Sequence, residues 1–206
     1  MKSRSKHWDT IFSTTEDSEL WWYENDISQT MKLLDYIPDL EGLSIFLPGV
    51  GTSILIDELL GKGANLVLND ISAEALESVK RRLKGGGEGI KWLCQDISLP
   101  IPKKVPNIDI WIDRAVLHFL TDRDDIKGYF DNVKSMLNIG GYAIFAEFSK
   151  AGASKCAGLD LHQYSIEELS NELGSSFELI SYFDFVYTNP RGDPRPYLYS
   201  LYKRGE

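Results

Sequence analysis

Short apolar and β-branched runs alternate along the chain with segments of amphipathic, helical spacing, and this alternation follows a polar, aromatic-rich lead-in. Five runs have the length of strands, at positions 43–47, 65–69, 90–95, 108–112 and 142–148. Repetition of strand and helix in this order is typical of βαβ units around a parallel sheet. The pattern therefore predicts five parallel strands with helices between them.

The predicted helices begin at residues whose side chains cap free backbone N–H groups. These residues are Thr52 or Ser53, Ser72, Thr121 or Asp122, and Ser165, which forms a capping box with Glu168. Glycines at 85–87 are expected to end the helix after Ser72, and Gly140 with Gly141 to separate the next long helix from the fifth strand.

Two further extended runs, at 177–186 and 197–202, follow the last predicted helix. Their connector contains the turn-forming segment 189–194, which is too short for the crossover that a parallel pair needs. The two runs must therefore pair antiparallel. We predict a parallel sheet with one antiparallel strand at its end.

Composition narrows the class of protein. The 206 residues are 43% hydrophobic and 26% charged, which favours a single soluble globular domain that spans residues 1–206. The 31 acidic and 22 basic residues give a net charge of −9, which disfavours nucleic-acid partners. The sequence shows no membrane span and no secretory leader, so we expect a cytoplasmic protein. Two cysteines and three scattered histidines predict neither a disulfide framework nor a metal site.

Candidate chemistry lies where the predicted strands end, because ligands bind beyond the carboxyl ends of parallel strands. Gly49 and Gly51 allow a tight turn and a close approach of the backbone. Asp70, 21 residues after Gly49, stands where a carboxylate accepts hydrogen bonds from ribose hydroxyls. Asp96 ends the third strand, and Ile97 can pack on an adenine. These positions predict an adenosine-containing ligand.

The absence of a third glycine in the turn narrows the kind of adenosine cofactor. Position 54 is Ile54, so the third glycine of the dinucleotide pattern G-x-G-x-x-G is absent. S-adenosylmethionine has a positive sulfonium and no pyrophosphate, and it suits the acidic strand ends better. Two alternatives stay open: an NAD(P)-dependent oxidoreductase on a Rossmann-like sheet, and a non-catalytic scaffold that binds the cofactor.

Over nearly its whole length the sequence resembles the class I S-adenosylmethionine-dependent methyltransferase family. The segments that carry the resemblance are FLPGVGTS at 46–53, NDIS at 69–72, CQDI at 94–97, DRAVLHFL at 113–120 and the glycine pair at 140–141. The resemblance implies an α/β, three-layer, Rossmann-like methyltransferase fold, in which a seven-stranded, mostly parallel sheet has its last strand antiparallel.

The same resemblance implies roles for single residues. Gly49 and Gly51 would lie under the methionine part of the cofactor, and Asp70 with Ile71 would hold the ribose region. Asp96 and Ile97 would frame the adenine. The remaining candidates are Asp113, which would face both methyl donor and acceptor, and His118, a second candidate for the catalytic base. The alternatives without a catalytic role are an ion pair of Asp113 with Arg114 and a packed core position for His118.

The lead-in segments HWDTIF at 7–12 and ELWWYE at 19–24 resemble the opening of the subgroup that contains elongation-factor lysine methyltransferases. This likeness implies that residues 1–35 form a flap, with Trp22 against the cofactor. Trp8 and Tyr23 are the corresponding candidates for substrate binding. The expected acceptor is an N, S or O nucleophile of a small molecule or a protein lysine side chain, and we expect a monomer or weak homodimer.

Overall fold

The structure is a computed structural model that describes residues 4–84, 87 and 89–206. The helices are α1 (Ser5–Thr14), α2 (Ser28–Leu34), α3 (Leu55–Gly61), α4 (Ala73–Leu83), α5 (Arg123–Met136) and α6 (Ile166–Leu173). The strands are β1 (Ser44–Leu47), β2 (Asn65–Asp70), β3 (Lys91–Cys94), β4 (Ile108–Arg114), β5 (Leu137–Phe148), β6 (Lys155–Cys156), β7 (Leu159–Asp160), β8 (Phe177–Thr188) and β9 (Pro194–Arg204). Across the described residues, no helix combines the length and the apolar character that a membrane crossing requires.

Seven strands form one sheet in the order β3-β2-β1-β4-β5-β9-β8, and β6 and β7 make a separate small hairpin. β1 to β5 pair in parallel, while β9 runs antiparallel to β5 on one side and to β8 on the other. The predicted seven-stranded sheet, with the last strand of the chain antiparallel, is confirmed. That strand lies one place inside the edge of the sheet, and β8 forms the edge.

Burial explains why β9, and not β8, lies beside β5. Residues 197–202 of β9 are all buried, as expected of a strand covered on both faces. β8 instead carries the exposed side chains Tyr182 and Val186, so the chain can leave it at the edge.

Side chains alternate between the two faces of the sheet and join two separate cores. Ile45 and Leu68 pack on one face with apolar residues of α2, α3 and α4. Phe46 and Trp111 pack on the other face with α5 and α6. Helices therefore cover both faces, and the predicted three-layer arrangement is confirmed.

Most predicted helix starts are confirmed. The side chains of Ser72 and Asp122 accept hydrogen bonds from the first turns of α4 and α5, and Ser165 forms the expected capping box with Glu168. α3 begins later than predicted, at Leu55, where the Ser53 hydroxyl accepts a hydrogen bond from the backbone N–H.

The boundary predicted at Gly140 and Gly141 differs from the one in the structure. Gly140 and Gly141 lie inside β5, because β5 begins at Leu137 immediately after α5 ends. They belong to an irregularity at the start of the β4–β5 pairing, where Gly140 has a φ of +82°. At 85–87, positions 85 and 86 lie outside the described residues.

Candidate functional site

A cavity of about 860 Å³ lies at the carboxyl ends of β1, β2, β3 and β4, under α1. The walls include nine of the predicted cofactor- and substrate-binding residues: Trp8, Trp22, Tyr23, Gly49, Gly51, Asp70, Ile71, Asp96 and Ile97. Asp9 of α1 and Ser72, which are 63 positions apart in sequence, are joined by a hydrogen bond of 2.7 Å. Nine residues predicted from the sequence thus come together in one wall.

The glycine turn after β1 is packed from two sides. Gly49 has a φ of +46°, and a Cβ at this position would lie 2.5 Å from a methyl carbon of Val116. Gly51 has a φ of +53°, and its Cβ would lie 3.2 Å from the ring of Phe12. Both positions thus need glycine for their backbone angles, and Gly49 needs it for space as well.

Asp70 ties the second strand to this turn. One carboxylate oxygen accepts a hydrogen bond from the Gly51 N–H at 2.8 Å, and the other accepts one from the Ser72 N–H at 2.8 Å. Burial raises the pKa of Asp70 to about 6. A carboxylate has about four lone-pair sites, so Asp70 keeps capacity to accept hydrogen bonds from a ribose.

Asp96 and Ile97 form the wall beyond β3. The Asp96 carboxylate accepts hydrogen bonds from the backbone N–H and the hydroxyl of Ser98. The Asn132 side chain, on α5, donates to the carbonyls of Ile97 and Leu99 at 2.7 and 2.9 Å. Sequence reasoning missed Asn132, because nothing near position 97 indicates that an amide 35 residues later holds this loop.

Four aromatic side chains close the cavity on the α1 side. The Trp8 ring lies 4.9 Å from Phe119 and 5.4 Å from Trp22, measured between centroids, and Phe12 lies 6.1 Å from Trp22. All four line the cavity. Sequence reasoning found Trp8 and Trp22 and missed Phe12, although its spacing of four residues from Trp8 puts the two on one helix face.

Arg114 fixes the segment 20–24 against the sheet. Its Nε lies 2.7 Å from a carboxylate oxygen of Glu24, and its Nη1 donates to the Trp22 carbonyl at 2.9 Å. The Tyr187 hydroxyl, from β8, donates to the Tyr23 carbonyl. Arg114 thus pairs with Glu24 and not with Asp113. The ion pair of Asp113 with Arg114, which was the structural alternative to a catalytic role for Asp113, is not what the structure shows.

Trp21 points elsewhere. The guanidinium of Arg191, from the β8–β9 connector, lies 4.4 Å from the centre of its ring. Trp21 is not part of the wall formed by the described residues. Of the three consecutive aromatic residues, Trp22 and Tyr23 therefore line the cavity and Trp21 packs on the hairpin.

The structure does not bring Asp113 and His118 to the cavity. Both side chains are 0% exposed, and neither belongs to the wall that the described residues form. The Asp113 carboxylate turns into the protein because it accepts hydrogen bonds from the Val116 and Leu117 N–H groups, both at 3.1 Å, and from the Tyr129 hydroxyl at 2.5 Å. This placement corrects the expectation that Asp113 faces donor and acceptor.

His118 is paired with Glu147, which sequence reasoning also missed. Its Nδ1 lies 2.6 Å from a carboxylate oxygen of Glu147. Burial lowers the pKa of His118 to about 3 and raises that of Glu147 to about 8. Burial, followed by the charge of Glu147, raises the pKa of Asp113 well above its usual range. Because His118 is buried away from the cavity, its imidazole cannot take a proton from a group bound there.

These shifts predict a pH-dependent stability. Between about pH 6.5 and 8, Glu147 is protonated in the folded state and ionised in the unfolded state, so the free energy of unfolding falls as the pH rises. His118 does not oppose this fall. Because its pKa is lower in the folded state than in the unfolded state, it makes the free energy of unfolding rise with pH only up to about pH 6.5, where the unfolded imidazole loses its proton. We expect wild type to lose on the order of 1–2 kcal/mol over this window relative to Glu147→Gln. Urea unfolding at several pH values measures the difference, and a difference that stays constant would contradict the assignment.

Among the described residues, the histidine, cysteine and acidic side chains do not indicate a metal site or a reactive thiol. No group of three or more histidine, cysteine or acidic side chains with the geometry for a metal ion occurs in the part of the chain that the structure describes. Cys156 is buried beside the β6–β7 turn, and burial raises the pKa of its thiol.

Comparison with known proteins finds methyltransferases. Residues 47–145 match the model of the methyltransferase domain family. The chain is 30% identical over 122 residues to a malonyl-[acyl-carrier protein] O-methyltransferase of Ilyobacter polytropus, covering 58% of this chain and 45% of that protein. It is 26% identical over 137 residues to a phosphoethanolamine N-methyltransferase of Arabidopsis thaliana, covering 63% and 27%. The chain thus spans less than half the length of these curated relatives.

Solved structures extend the likeness in fold. The N-methyltransferase NodS of Bradyrhizobium japonicum, in complex with S-adenosylhomocysteine, superimposes with a TM-score of 0.78 at 14% identity and 100% coverage of both chains. A 1,6-didemethyltoxoflavin-N1-methyltransferase of Burkholderia thailandensis gives 0.68 at 14% identity, covering 99% of this chain and 85% of that one. The resemblance of the lead-in to lysine methyltransferases is not confirmed by these proteins. The chain has the Rossmann-like methyltransferase fold, and its residues 47–145 match a methyltransferase domain.

Proposed function

We propose that this protein transfers a methyl group from S-adenosylmethionine to an N, S or O nucleophile of a small molecule. The observation that carries the proposal is the cavity itself, in which a glycine turn, two acid-terminated strand ends and an aromatic cover enclose one space. The matched methyltransferases, two of which have solved structures with S-adenosylhomocysteine bound, support the same cofactor.

Residues at the strand ends fit this cofactor. Asp70 would accept hydrogen bonds from the ribose hydroxyls, and Asp96 and Ile97 would frame the adenine. The backbone at Gly49 and Gly51 would lie under the methionine part, and at Gly49 a Cβ would collide with Val116. When bound, the cofactor supplies a methyl group already activated by its positively charged sulfur.

The protein contributes alignment and exclusion of water. The lone pair of the acceptor would form the new bond to the methyl carbon as the carbon–sulfur bond breaks, the electron pair of that bond would stay on sulfur, and a proton on the acceptor atom would pass to water. Trp8, Trp22 and Phe119 exclude water around the reacting atoms, which strengthens electrostatic interactions there. Holding acceptor, methyl carbon and sulfur in line supplies on the order of several kcal/mol without a metal.

The covered cavity favours a small acceptor over a protein lysine. α1 lies across the opening and is held at its start and in its middle: Arg4 donates to the Phe119 carbonyl at 2.5 Å, and Asp9 accepts a hydrogen bond from the Ser72 hydroxyl at 2.7 Å. Arg114 holds the adjacent segment 20–24. A lysine on a protein surface needs an open trough, whereas a small molecule fits a chamber that closes over it.

Isothermal titration with S-adenosylhomocysteine and S-adenosylmethionine tests the cofactor. We expect saturable binding of both, and no measurable heat with either would overturn the proposal. Turnover with radiolabelled cofactor then separates acceptors. Methylation of amine, thiol or hydroxyl metabolites supports a small-molecule enzyme, methylation of protein lysines in a cell extract contradicts it, and binding without turnover on either panel favours a non-catalytic scaffold.

Trp8→Ala tests the aromatic cover. Because Trp8 contacts Phe119, Trp22 and Phe12, its removal opens the wall, and we expect about a tenfold loss of affinity for S-adenosylhomocysteine. Trp92→Ala removes a tryptophan on β3 that packs against the core away from this wall, and serves as the matched control. Equal losses in the two variants would contradict a specific role of Trp8.

A further inference from the structure

We propose that Glu147, at the end of β5, is a positioning residue that holds residues 115–120 against the glycine turn and so sets the cavity wall at which methyl transfer takes place. This inference rests on the proposed function for its role in the reaction. Its structural part, the hold on the loop, is measurable without any ligand. Residues 115–120 are called the post-β4 loop below.

Glu147 is 0% exposed and contacts the loop directly. One of its carboxylate oxygens accepts a hydrogen bond from the His118 backbone N–H at 3.1 Å and lies 2.6 Å from Nδ1 of the same residue. Asp113, on the neighbouring strand, accepts from the backbone N–H groups of Val116 and Leu117. Two buried carboxyl groups thus hold three consecutive backbone N–H groups of the post-β4 loop.

The loop needs such a hold because its conformation is strained and its position matters. Ala115 has a φ of +67°, in the left-handed region that residues other than glycine rarely adopt. Val116 packs against Gly49 so closely that a Cβ there would lie 2.5 Å away. Ala115, Val116, Phe119 and Leu120 all belong to the cavity wall. A shift of the loop would therefore move the wall beside the glycine turn.

The two carboxyl groups also influence each other, because burial and, after it, the charge of Glu147 raise the pKa of Asp113. The groups that face this pair are His118 of the loop, Tyr129 of α5, Tyr164 before α6 and Tyr197 of β9, with Arg114 next to His118. Burial of so many ionisable groups is costly, and an apolar pair in their place would pack as well.

The network is also incompletely satisfied, as expected where position matters more than stability. Among the described residues, neither the second Glu147 oxygen nor His118 Nε2 has a hydrogen-bond partner. A packing role alone would not require a glutamate here. A fixed acceptor for the His118 N–H requires a side-chain oxygen at this position.

Three substitutions separate positioning from stability. Glu147→Met removes the acceptor for the His118 N–H, Glu147→Asp shortens the side chain by one methylene, and Glu147→Gln keeps a carbonyl acceptor for this N–H. Ser200→Ala is the matched control, because Ser200 is also 0% exposed, neighbours Phe145 across the β5–β9 pair, and has a hydroxyl without a partner among the described residues.

Hydrogen exchange of the free protein and titration with S-adenosylhomocysteine are the readouts. We expect Glu147→Met and Glu147→Asp to speed exchange of the 116–118 amides at least about tenfold and to weaken ligand binding by about tenfold, while Glu147→Gln and Ser200→Ala stay near wild type. Glu147→Asp keeps the test valid if Glu147→Met does not fold.

The inference is overturned if folded Glu147→Met or Glu147→Asp is less stable, yet exchanges these amides and binds S-adenosylhomocysteine as wild type does. It is also overturned if Glu147→Gln behaves like Glu147→Met, because the hydrogen-bond geometry would then not be what matters. Wild type that fails to bind S-adenosylhomocysteine contradicts the proposed function instead, and the exchange measurement still decides whether Glu147 holds the loop.

Discussion

Gly49→Ala is expected to lower the affinity for S-adenosylhomocysteine by at least about tenfold and the free energy of unfolding by about 2–4 kcal/mol. The new methyl group would lie 2.5 Å from Val116, at a φ of +46° that alanine rarely adopts. Val116 must therefore move, and its loop with it, at the point where the backbone lies under the cofactor. Titration calorimetry and urea unfolding measure the two effects.

Gly42→Ala is the matched control for this variant. Gly42 also has a positive φ, of +75°, and a Cβ there would find no described atom within 4 Å. The control thus carries the backbone strain without the collision, and we expect a loss of about 1 kcal/mol of stability with unchanged ligand affinity. If Gly42→Ala weakened binding as much as Gly49→Ala, the packing of Val116 on the glycine turn would not be the cause.

Asp70→Ala is expected to weaken binding of S-adenosylhomocysteine by about a hundredfold, or about 2.7 kcal/mol. The substitution removes the acceptor for the ribose hydroxyls and leaves the buried N–H groups of Gly51 and Ser72 without their partner. Because burial raises the pKa of Asp70 to about 6, the affinity of wild type should also fall as the pH drops below that value, when the carboxyl is protonated and accepts hydrogen bonds less well.

Asp109→Ala is the control for lost carboxylate bonds. Asp109 accepts hydrogen bonds from the Ser44 N–H and from the Asn138 side chain, and it lies near the start of β4, away from the cavity wall of the described residues. This variant should lose stability and keep its ligand affinity. Equal losses of affinity in Asp70→Ala and Asp109→Ala would contradict a ribose-binding role for Asp70.

Sequence reasoning succeeded where the backbone alone decides the geometry. The glycine turn and the acids after β2 and β3 stand at positions that the order of strands brings to one edge, so Gly49, Asp70 and Asp96 could be placed from their spacing. It failed at Asp113, because the direction of that side chain depends on donors in the following loop and on Tyr129, 16 residues away. Spacing carries no information on that contact.

Two missed residues did leave a signal. Glu147 interrupts the otherwise apolar run at 142–148, and a charge inside a buried strand indicates a specific partner. The positions of Trp8, Ile11 and Phe12 have helical spacing, which predicts α1 within the lead-in. The position of α1 over the cavity depends on Ser72 and Phe119, which are distant in sequence, and no local pattern predicts it.

The weak local stability of α1 has a consequence for the exchange of ligands. Over its described length, α1 has no fully buried residue and no capping side chain at its start, so its detachment costs less free energy than disruption of the sheet. Under the proposed function, cofactor and product would then exchange by local unfolding of this one helix while both cores stay intact.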